Sequence, residues 1–516
     1  MKMKNTSSLK VFLIITTVVV GMCSIVYELL ISTVASYFLG NSVQQFSLII
    51  GIYMASMGVG AWLSRVFERR LLYRFVQIEI LLGLVGALSV PLCYFYFSAA
   101  DAGGFMLFTY MIVTIIGILT GLEVPLLTRI LEDSDSLKDN LSSILAFDYL
   151  GALLATLLFP FFLLPFVGLF RSSLLFGLIN IAIGVMTLVA FRKQLEHPRR
   201  RRLLYLLAAA MCLVIGVIFW QSKKILSDWN DQIFKYDVIY ERQSPYQNIV
   251  LTQTPAEFRM YLNGAIQFSS RDEYRYHESL VHIPAQQLDS VQSVLILGGG
   301  EGLALREVLK YPELQSVTLV DLDPAVVEIS RSLPLITKLN QEAFEDGRVT
   351  VLNEDAFTYL AGNTVSYDLI VVDLPDPTSE ALARLYSDVF FKMIFRALTE
   401  SGVMVTQATS PELTPDAFWC IERTIASLPD VYTYPYHAPI PSFGEWGFVM
   451  AMRQDRLRTR VRDDVELRYL ESGILHHLMY FPKDKRQISI QSNTLDRPVL
   501  LDYYLDHWQS LQGKQR

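Results

Sequence analysis

The chain has 516 residues, 52% of them hydrophobic and only 18% charged, with a formal net charge of −7. An ordinary soluble protein carries about 25% charge, and the apolar excess here lies before about residue 220. These figures exclude a single soluble domain, a disordered chain and a disulfide-rich secreted scaffold. The acidic balance argues against a nucleic-acid partner, which would call for a basic field. The four cysteines, Cys23, Cys93, Cys212 and Cys420, form no CxxC and no Cys/His ligand spacing, so neither a zinc site nor a disulfide framework is predicted.

About 20 residues at 1.5 Å each cross a 30 Å hydrocarbon core, so long apolar runs are candidate membrane spans. Seven are predicted, at about 11–38, 45–66, 75–98, 104–128, 145–166, 172–191 and 203–220, giving an all-α polytopic membrane domain over residues 1–220. The first run is too long for a signal peptide and lacks a clear small-residue cleavage site, so it reads as a retained helix. Basic residues of the short loops cluster at Lys2, Lys4 and Lys10, at Arg65, Arg69, Arg70 and Arg74, and at Arg192, Lys193 and Arg199 to Arg202. All three groups share one side, cytoplasmic if the N-terminus is cytoplasmic. Seven crossings then put everything after residue 220 on the opposite side, and one miscounted span reverses that. The expected location is multi-pass in the cell (inner) membrane, with the lipid bilayer as a partner.

Glu28, Glu79, Glu123 and Asp148 fall inside apolar runs. A charge in hydrocarbon costs several kcal/mol, so such residues face a bundle interior or a wet cavity. They suggest a cation pathway; interhelical hydrogen bonds are the plainer alternative. A position near the interface is another plain alternative, and Glu79, near a span end, reads as one of these two plainer cases.

Residues 221–233 are polar and read as a linker. Over 234–290, the segments YDVIYERQ, NIVLTQT and FRMYLNG alternate with period two, and Asn263-Gly264 is a hairpin turn, so a small β unit is predicted. From 291 to 516 the pattern is that of an α/β Rossmann-like, methyltransferase-type domain. SVLILGGGEG is a buried strand entering a Gly-rich turn at Gly298, Gly299, Gly300 and Gly302, where the backbone can approach a ligand closely. SVTLVDLD, RVTVLNEDAF and YDLIVVDLPDP are further strands, separated by helical segments. Ligands of such sheets sit at the carboxyl ends of the strands, and Glu301, Asp321, Asp323, Asp355, Asp373 and Asp376 fall there. Asp321, about twenty residues past the Gly-rich turn, stands where an acid takes ribose hydroxyls. The turn is neither GxxxxGK[ST] nor GxGxxG, which counts against a nucleotide triphosphatase and a dinucleotide enzyme.

Seven stretches in fixed order carry a family resemblance: SPYQNIVL (244–251), LNGAIQFSSRDEYRYHESLVHIP (262–284), VLILGGGEG (294–302), VDLDP (320–324), NEDAF (353–357), YDLIVVDLPDP (367–377) and LYSDVFF (385–391). Together they resemble the spermidine synthase (polyamine aminopropyltransferase) family. The membrane half resembles, more loosely, the multi-spanning domain attached to some bacterial members. Ordinary methyltransferases share the sheet but lack DEYxYHE followed by this DxxDP.

The resemblance implies transfer of an aminopropyl group from decarboxylated S-adenosylmethionine, a co-substrate, to putrescine or another amine, with no cofactor and no metal. It implies Asp373 as the base and Asp376 as an acceptor-binding acid. Tyr276 would contact the amine beside the base, and His277 would line the donor site. Gln247 and Gln267 match donor- or acceptor-contacting glutamines. Asp321 would take the ribose hydroxyls and Asp355 the adenine amino group. Glu301 would attract the ammonium tail of the decarboxylated donor and repel the carboxylate of S-adenosylmethionine. The chain departs from the family pattern in four places. Glu301 stands where Asp is usual, Leu303 where Gly is frequent, Leu374-Pro375 where many members have Ser-Ser, and Phe443 where a Tyr often contacts the acceptor. Family enzymes are commonly dimers or tetramers. The alternatives weighed are an S-adenosylmethionine-dependent methyltransferase and a polyamine transporter or sensor with a non-catalytic binding domain. A cytosolic donor favours a cytoplasmic catalytic domain, against the charge count.

Overall fold

The structure, a computed structural model, describes residues 6–39, 42–99, 102–130, 137–192, 195, 197–233, 236–462, 464–486 and 490–514. The chain divides into two compact units, Met1–Ile233 and Phe234–Arg516. Lys2, Lys4 and Lys193, used above for orientation, lie outside the described residues.

The first unit holds α1 (Thr6–Leu39), α2 (Ser42–Leu63), α3 (Leu71–Ala99), α4 (Ala102–Ile130), α5 (Leu137–Leu158), α6 (Leu169–Ala190) and α7 (Pro198–Ile233). All seven are long and apolar enough to cross a membrane, as the sequence predicts. α5 continues into a wider helical stretch, Phe159–Val167, where Pro160 and Pro165 cannot donate to the ladder. The polar stretch 221–233, expected as a linker, is instead the end of α7. Polarity alone does not stop a helix, and no Gly or Pro stands between Val217 and Ile233. The indole N–H of Trp229 donates to the Tyr94 carbonyl at 2.9 Å and ties this extension to α3.

Of the two plain alternatives for Glu79, the structure contains the interhelical hydrogen bond. Glu79 is fully buried on α3, and Asn180 Nδ2 of α6 donates to its Oε2 at 3.0 Å. Glu123 of α4 is likewise buried, at 1% exposure.

The second unit begins with a four-stranded antiparallel meander: β1 (Asp237–Gln243), β2 (Asn248–Gln253), β3 (Phe258–Leu262) and β4 (Ala265–Ser269). Asn263 and Gly264, at φ 51° and 82°, make the two-residue turn between β3 and β4. Then follow α8 (Glu273–Ala285), β5 (Ser293–Gly298), α9 (Leu303–Val308), β6 (Ser316–Val320), α10 (Pro324–Ser332), α11 (Pro334–Leu339), β7 (Val349–Leu352), α12 (Ala356–Gly362) and β8 (Tyr367–Asp373). The chain ends with α13 (Glu380–Ala383), α14 (Asp388–Ala397), β9 (Leu398–Gln407), α15 (Pro415–Ala426), β10 (Tyr432–Ile440), β11 (Gly444–Met452), α16 (Leu475–Leu478) and α17 (Val499–Lys514).

The second sheet has seven strands in the order β10-β11-β9-β8-β5-β6-β7. Strands β9, β8, β5, β6 and β7 are parallel; β10 and β11 add antiparallel. Its central strands are apolar throughout because both faces are covered. On β5, Val294 and Ile296 join one core layer while Leu295 and Leu297 join the other; on β8, Leu369 and Val371 divide from Ile370 and Val372 in the same way. The chain runs outward from β5 through β6 to β7, then returns to β8 on the other side. The strand order therefore reverses between β5 and β8, and a crevice opens at their carboxyl ends.

Candidate active site

The crevice is built where β5 and β8 end side by side. Gly298 pairs with Asp373 in register, and the Gly299 N–H donates to the Asp373 carbonyl at 3.2 Å. Gly298 has φ 83°, and a Cβ there would strike the Asp373 carbonyl, so this position takes glycine for both reasons. A Cβ on Gly300 would lie 2.6 Å from Asp321 Oδ2, the oxygen that accepts the Gly300 N–H at 3.0 Å. Gly302 (φ 81°) opens α9. All four predicted turn glycines thus belong to this one bend.

Helix α8 brings Tyr276 and His277 against the bend. The Tyr276 hydroxyl donates to Asp373 Oδ1 at 2.7 Å. His277 Nδ1 donates to the Glu273 carbonyl (2.8 Å) and to Glu273 Oε2 (2.9 Å), and its Nε2 stands 3.5 Å from Glu301 Oε1. Arg306 of α9 grips Glu273 through both guanidinium nitrogens, each at 2.9 Å. Burial opposes a charge on His277, but the carboxylates of Glu273 and Glu301 outweigh it and lift its pKa to about 10, so the ring is an imidazolium at neutral pH. Asp373 is pushed up to about 6, first by burial and then by Glu301, against the pull of His277 and Tyr276. Phe443 lies edge-on to Tyr276 with ring centroids 6.0 Å apart. Its loop is pinned to the start of α8 by Asp272, which accepts from the Ser442 N–H at 2.7 Å and its hydroxyl at 2.8 Å.

Asp376, three residues past Asp373, is likewise raised to about 6 by burial, opposed by hydrogen bonds from Tyr504 and Gln407. Tyr504 donates to Oδ2 at 2.9 Å, and Gln407 Nε2 lies 3.4 Å from Oδ1. Asp321 accepts two backbone N–H groups, from Gly300 and, at 2.9 Å, from Asp323; burial raises it to about 7 in spite of them.

The other predicted residues stand differently. Gln247 donates to Asp323 Oδ2 at 3.0 Å, so it is held at the end of β6. Asp323 itself caps α10 and also accepts from Ser244 at 2.6 Å, which gives it a structural task. Asp355 caps α12 through Thr358 and pairs with Arg384 at 2.5 Å. Gln267 bonds the Ala265 carbonyl of its own strand at 3.4 Å, and among the described residues no hydrogen bond joins it to the carboxylate cluster. Glu273, Arg306, Gln407 and Tyr504 were not singled out from the sequence. Glu273 sits one helical turn before His277, a spacing that could have revealed it; Arg306 and Tyr504 carry no such local signal.

One imidazole and two carboxylates, from His277, Glu301 and Asp373, bring ligand atoms within 4.8 Å of one another, a spacing that could also suit a metal ion.

The carboxylate-lined crevice lies at the switch point of a sheet with the strand order of the methyltransferase-type fold. Residues 273–463 match the family model described as spermine/spermidine synthase domain. The chain is 40% identical over 499 residues to the polyamine aminopropyltransferase of Leptospira interrogans, covering 96% of this chain and 98% of that one. It is 41% identical over 501 residues to polyamine aminopropyltransferase 2 of Ralstonia nicotianae, covering 96% and 98%. A solved structure of spermidine synthase in complex with the transition-state analogue AdoDATO is 27% identical, with a TM-score of 0.45, and covers 48% of this chain and 86% of that one. The chain belongs to the polyamine aminopropyltransferase family, spermidine synthase type. That membership favours aminopropyl transfer over methyl transfer and over a carrier with an inactive domain.

Proposed function

We propose that the chain transfers the aminopropyl group of decarboxylated S-adenosylmethionine to putrescine, giving spermidine and methylthioadenosine. The observation that carries this reading is the pair of half-buried carboxylates on one loop, Asp373 and Asp376, each raised to about 6, with Tyr276 fixing the first. The reaction needs a neutral amine held in line with the carbon beside the sulfonium. The amine lone pair forms the new C–N bond. The C–S bond breaks with its electrons to sulfur, leaving a neutral thioether. The displaced amine proton passes to Asp373, whose carboxylate form is the base. The donor's leaving group is already activated, so the chemistry asks for no cofactor and no metal.

Glu301 would meet the ammonium tail of the donor, and Asp321 with the glycine bend would hold its ribose. Asp355 would reach the adenine amino group only once Arg384 gives way. Asp376 would take the far ammonium of the diamine. The experiment is a mass-spectrometric assay on the purified full chain with this donor and putrescine, with and without a chelator. Methylthioadenosine and spermidine are expected at equal yield in both. No methylthioadenosine with any common diamine overturns the reaction, and loss of product on chelation overturns the metal-free reading.

We further propose that the seven apolar helices anchor the enzyme in the cell membrane with the catalytic unit on the cytoplasmic face, where the donor is made. The basic loops and the seven-helix parity stand against this face. A fluorescent reporter after residue 516 is expected to light up in the cytoplasm; activity from a periplasmic phosphatase reporter at the same point overturns the assignment.

A further inference from the structure

The C-terminal helix reaches into the acceptor end of the crevice. Leu500 and Tyr504 lie one turn apart on α17 and are buried at 0% and 6% exposure. The segment before the helix is anchored by Asn493, itself fully buried. Its amide Nδ2 donates to the Ala383 and Tyr386 carbonyls at 2.8 and 3.1 Å, its backbone N–H donates to the Thr424 hydroxyl at 2.8 Å, and its carbonyl accepts the Asp388 N–H at 3.0 Å. The arm is thereby fastened to the stretch that follows Asp376.

Tyr504 then places its hydroxyl 2.9 Å from Asp376 Oδ2. On the other oxygen, Gln407 is fixed in turn: its Nε2 bonds the Tyr386 hydroxyl at 2.6 Å and the Leu374 carbonyl at 2.7 Å. Asp376 is therefore held by one close neutral donor, Tyr504, with the neutral Gln407 amide 3.4 Å from its other oxygen, and by no cation among the described residues. Neutral donors fix the orientation of a carboxylate and leave its charge for a ligand; an Arg or Lys in their place would cancel it. Asp355, paired with Arg384 in the same unit, shows that other arrangement.

We propose that Tyr504 is a positioning residue for Asp376, so that the C-terminal helix takes part in recognising the remote ammonium of a diamine acceptor. The inference rests on the aminopropyl-transfer reading above. It separates a diamine from a monoamine, because only the diamine carries a second ammonium for Asp376 to meet.

The test is Tyr504→Phe in the full chain, with putrescine and n-butylamine as alternative acceptors. Putrescine binding, measured by calorimetry in the presence of methylthioadenosine, should weaken about tenfold, as expected for losing a hydrogen bond to a charged group. In turnover the loss should fall on the KM for putrescine and much less on kcat, and the preference for putrescine over n-butylamine should drop about tenfold. An equal loss for both amines, or no change in putrescine affinity, overturns the proposal. Wild-type protein that binds putrescine but forms no methylthioadenosine would overturn the transfer reading instead, and the binding comparison would still decide the part played by Tyr504.

Discussion

Asp373→Asn is expected to lower kcat by about 10²- to 10⁴-fold, the range that a positioned acid–base group supplies. Asn keeps the shape of the side chain, and its amide oxygen still accepts the Tyr276 hydroxyl now found 2.7 Å from Oδ1. What it loses is the ability to take a proton from the attacking amine. Donor affinity, read by equilibrium binding, should stay within about threefold, so the loss is catalytic. The pH profile makes the same point with its sign worked out. Burial and Glu301 raise Asp373 from an ordinary 3.8 to about 6, so the active carboxylate form is lost as pH falls through about 6. Asp376 is raised to the same region, so the acid limb of kcat/KM should fall with a slope approaching two. His277, at about 10, keeps its charge across this range. In Asp373→Asn one of the two protonations disappears and the limb should flatten toward a slope of one. An unchanged kcat, or an acid limb centred near pH 4, would remove Asp373 from the role of base.

Much of this site is legible in the sequence because it is carried by local rules. The Gly-rich bend follows a buried strand, and Asp321 and Asp373 stand at strand ends where parallel sheets bind ligands. Asn263-Gly264 fixes its hairpin because both residues must take positive φ. The same strand-end logic fails to sort the acids by task. Asp323 and Asp355 end up as helix caps, since a carboxylate just before a helix is equally suited to its free N–H groups. The linker fails for a related reason: composition marks where a chain turns polar, whereas a helix ends only where a breaker or a competing contact ends it. The pairing of Tyr504 with Asp376 spans 128 residues and depends on how Asn493 fastens the C-terminal arm, so it has no trace in local pattern. The buried pair Glu79 and Asn180, 101 residues apart, is hidden in the same way.

Glu301→Gln is expected to cut the enzyme's preference for decarboxylated S-adenosylmethionine over S-adenosylmethionine by about 10²- to 10³-fold, because a like-charge contact in a desolvated site costs several kcal/mol. The local charges make this residue decisive. Around the β5 bend stand the cations His277 and Arg306 and the carboxylates Glu273, Glu301, Glu307, Asp321 and Asp373. Arg306 is shared between Glu273 and Glu307, and His277 lies between Glu273 and Glu301, so acids outnumber cations here and Glu301 and Asp373 present the surplus. A donor ending in ammonium is drawn to that surplus; a donor that adds a carboxylate is repelled by it. Replacing Glu301 with Gln removes one negative charge at the donor tail, and with it the repulsion, while nearly preserving side-chain length. The measurement is the ratio between the inhibition constant of S-adenosylmethionine and the KM of the decarboxylated donor. Glu301→Asp, which keeps the charge one methylene shorter, should retain most of the discrimination even if it slows turnover. If Gln and Asp shift the ratio equally, length and packing at position 301 set donor choice. If only Gln shifts it, the charge does, and the unusual glutamate in the GGGEG turn performs the same electrostatic selection as the shorter acid.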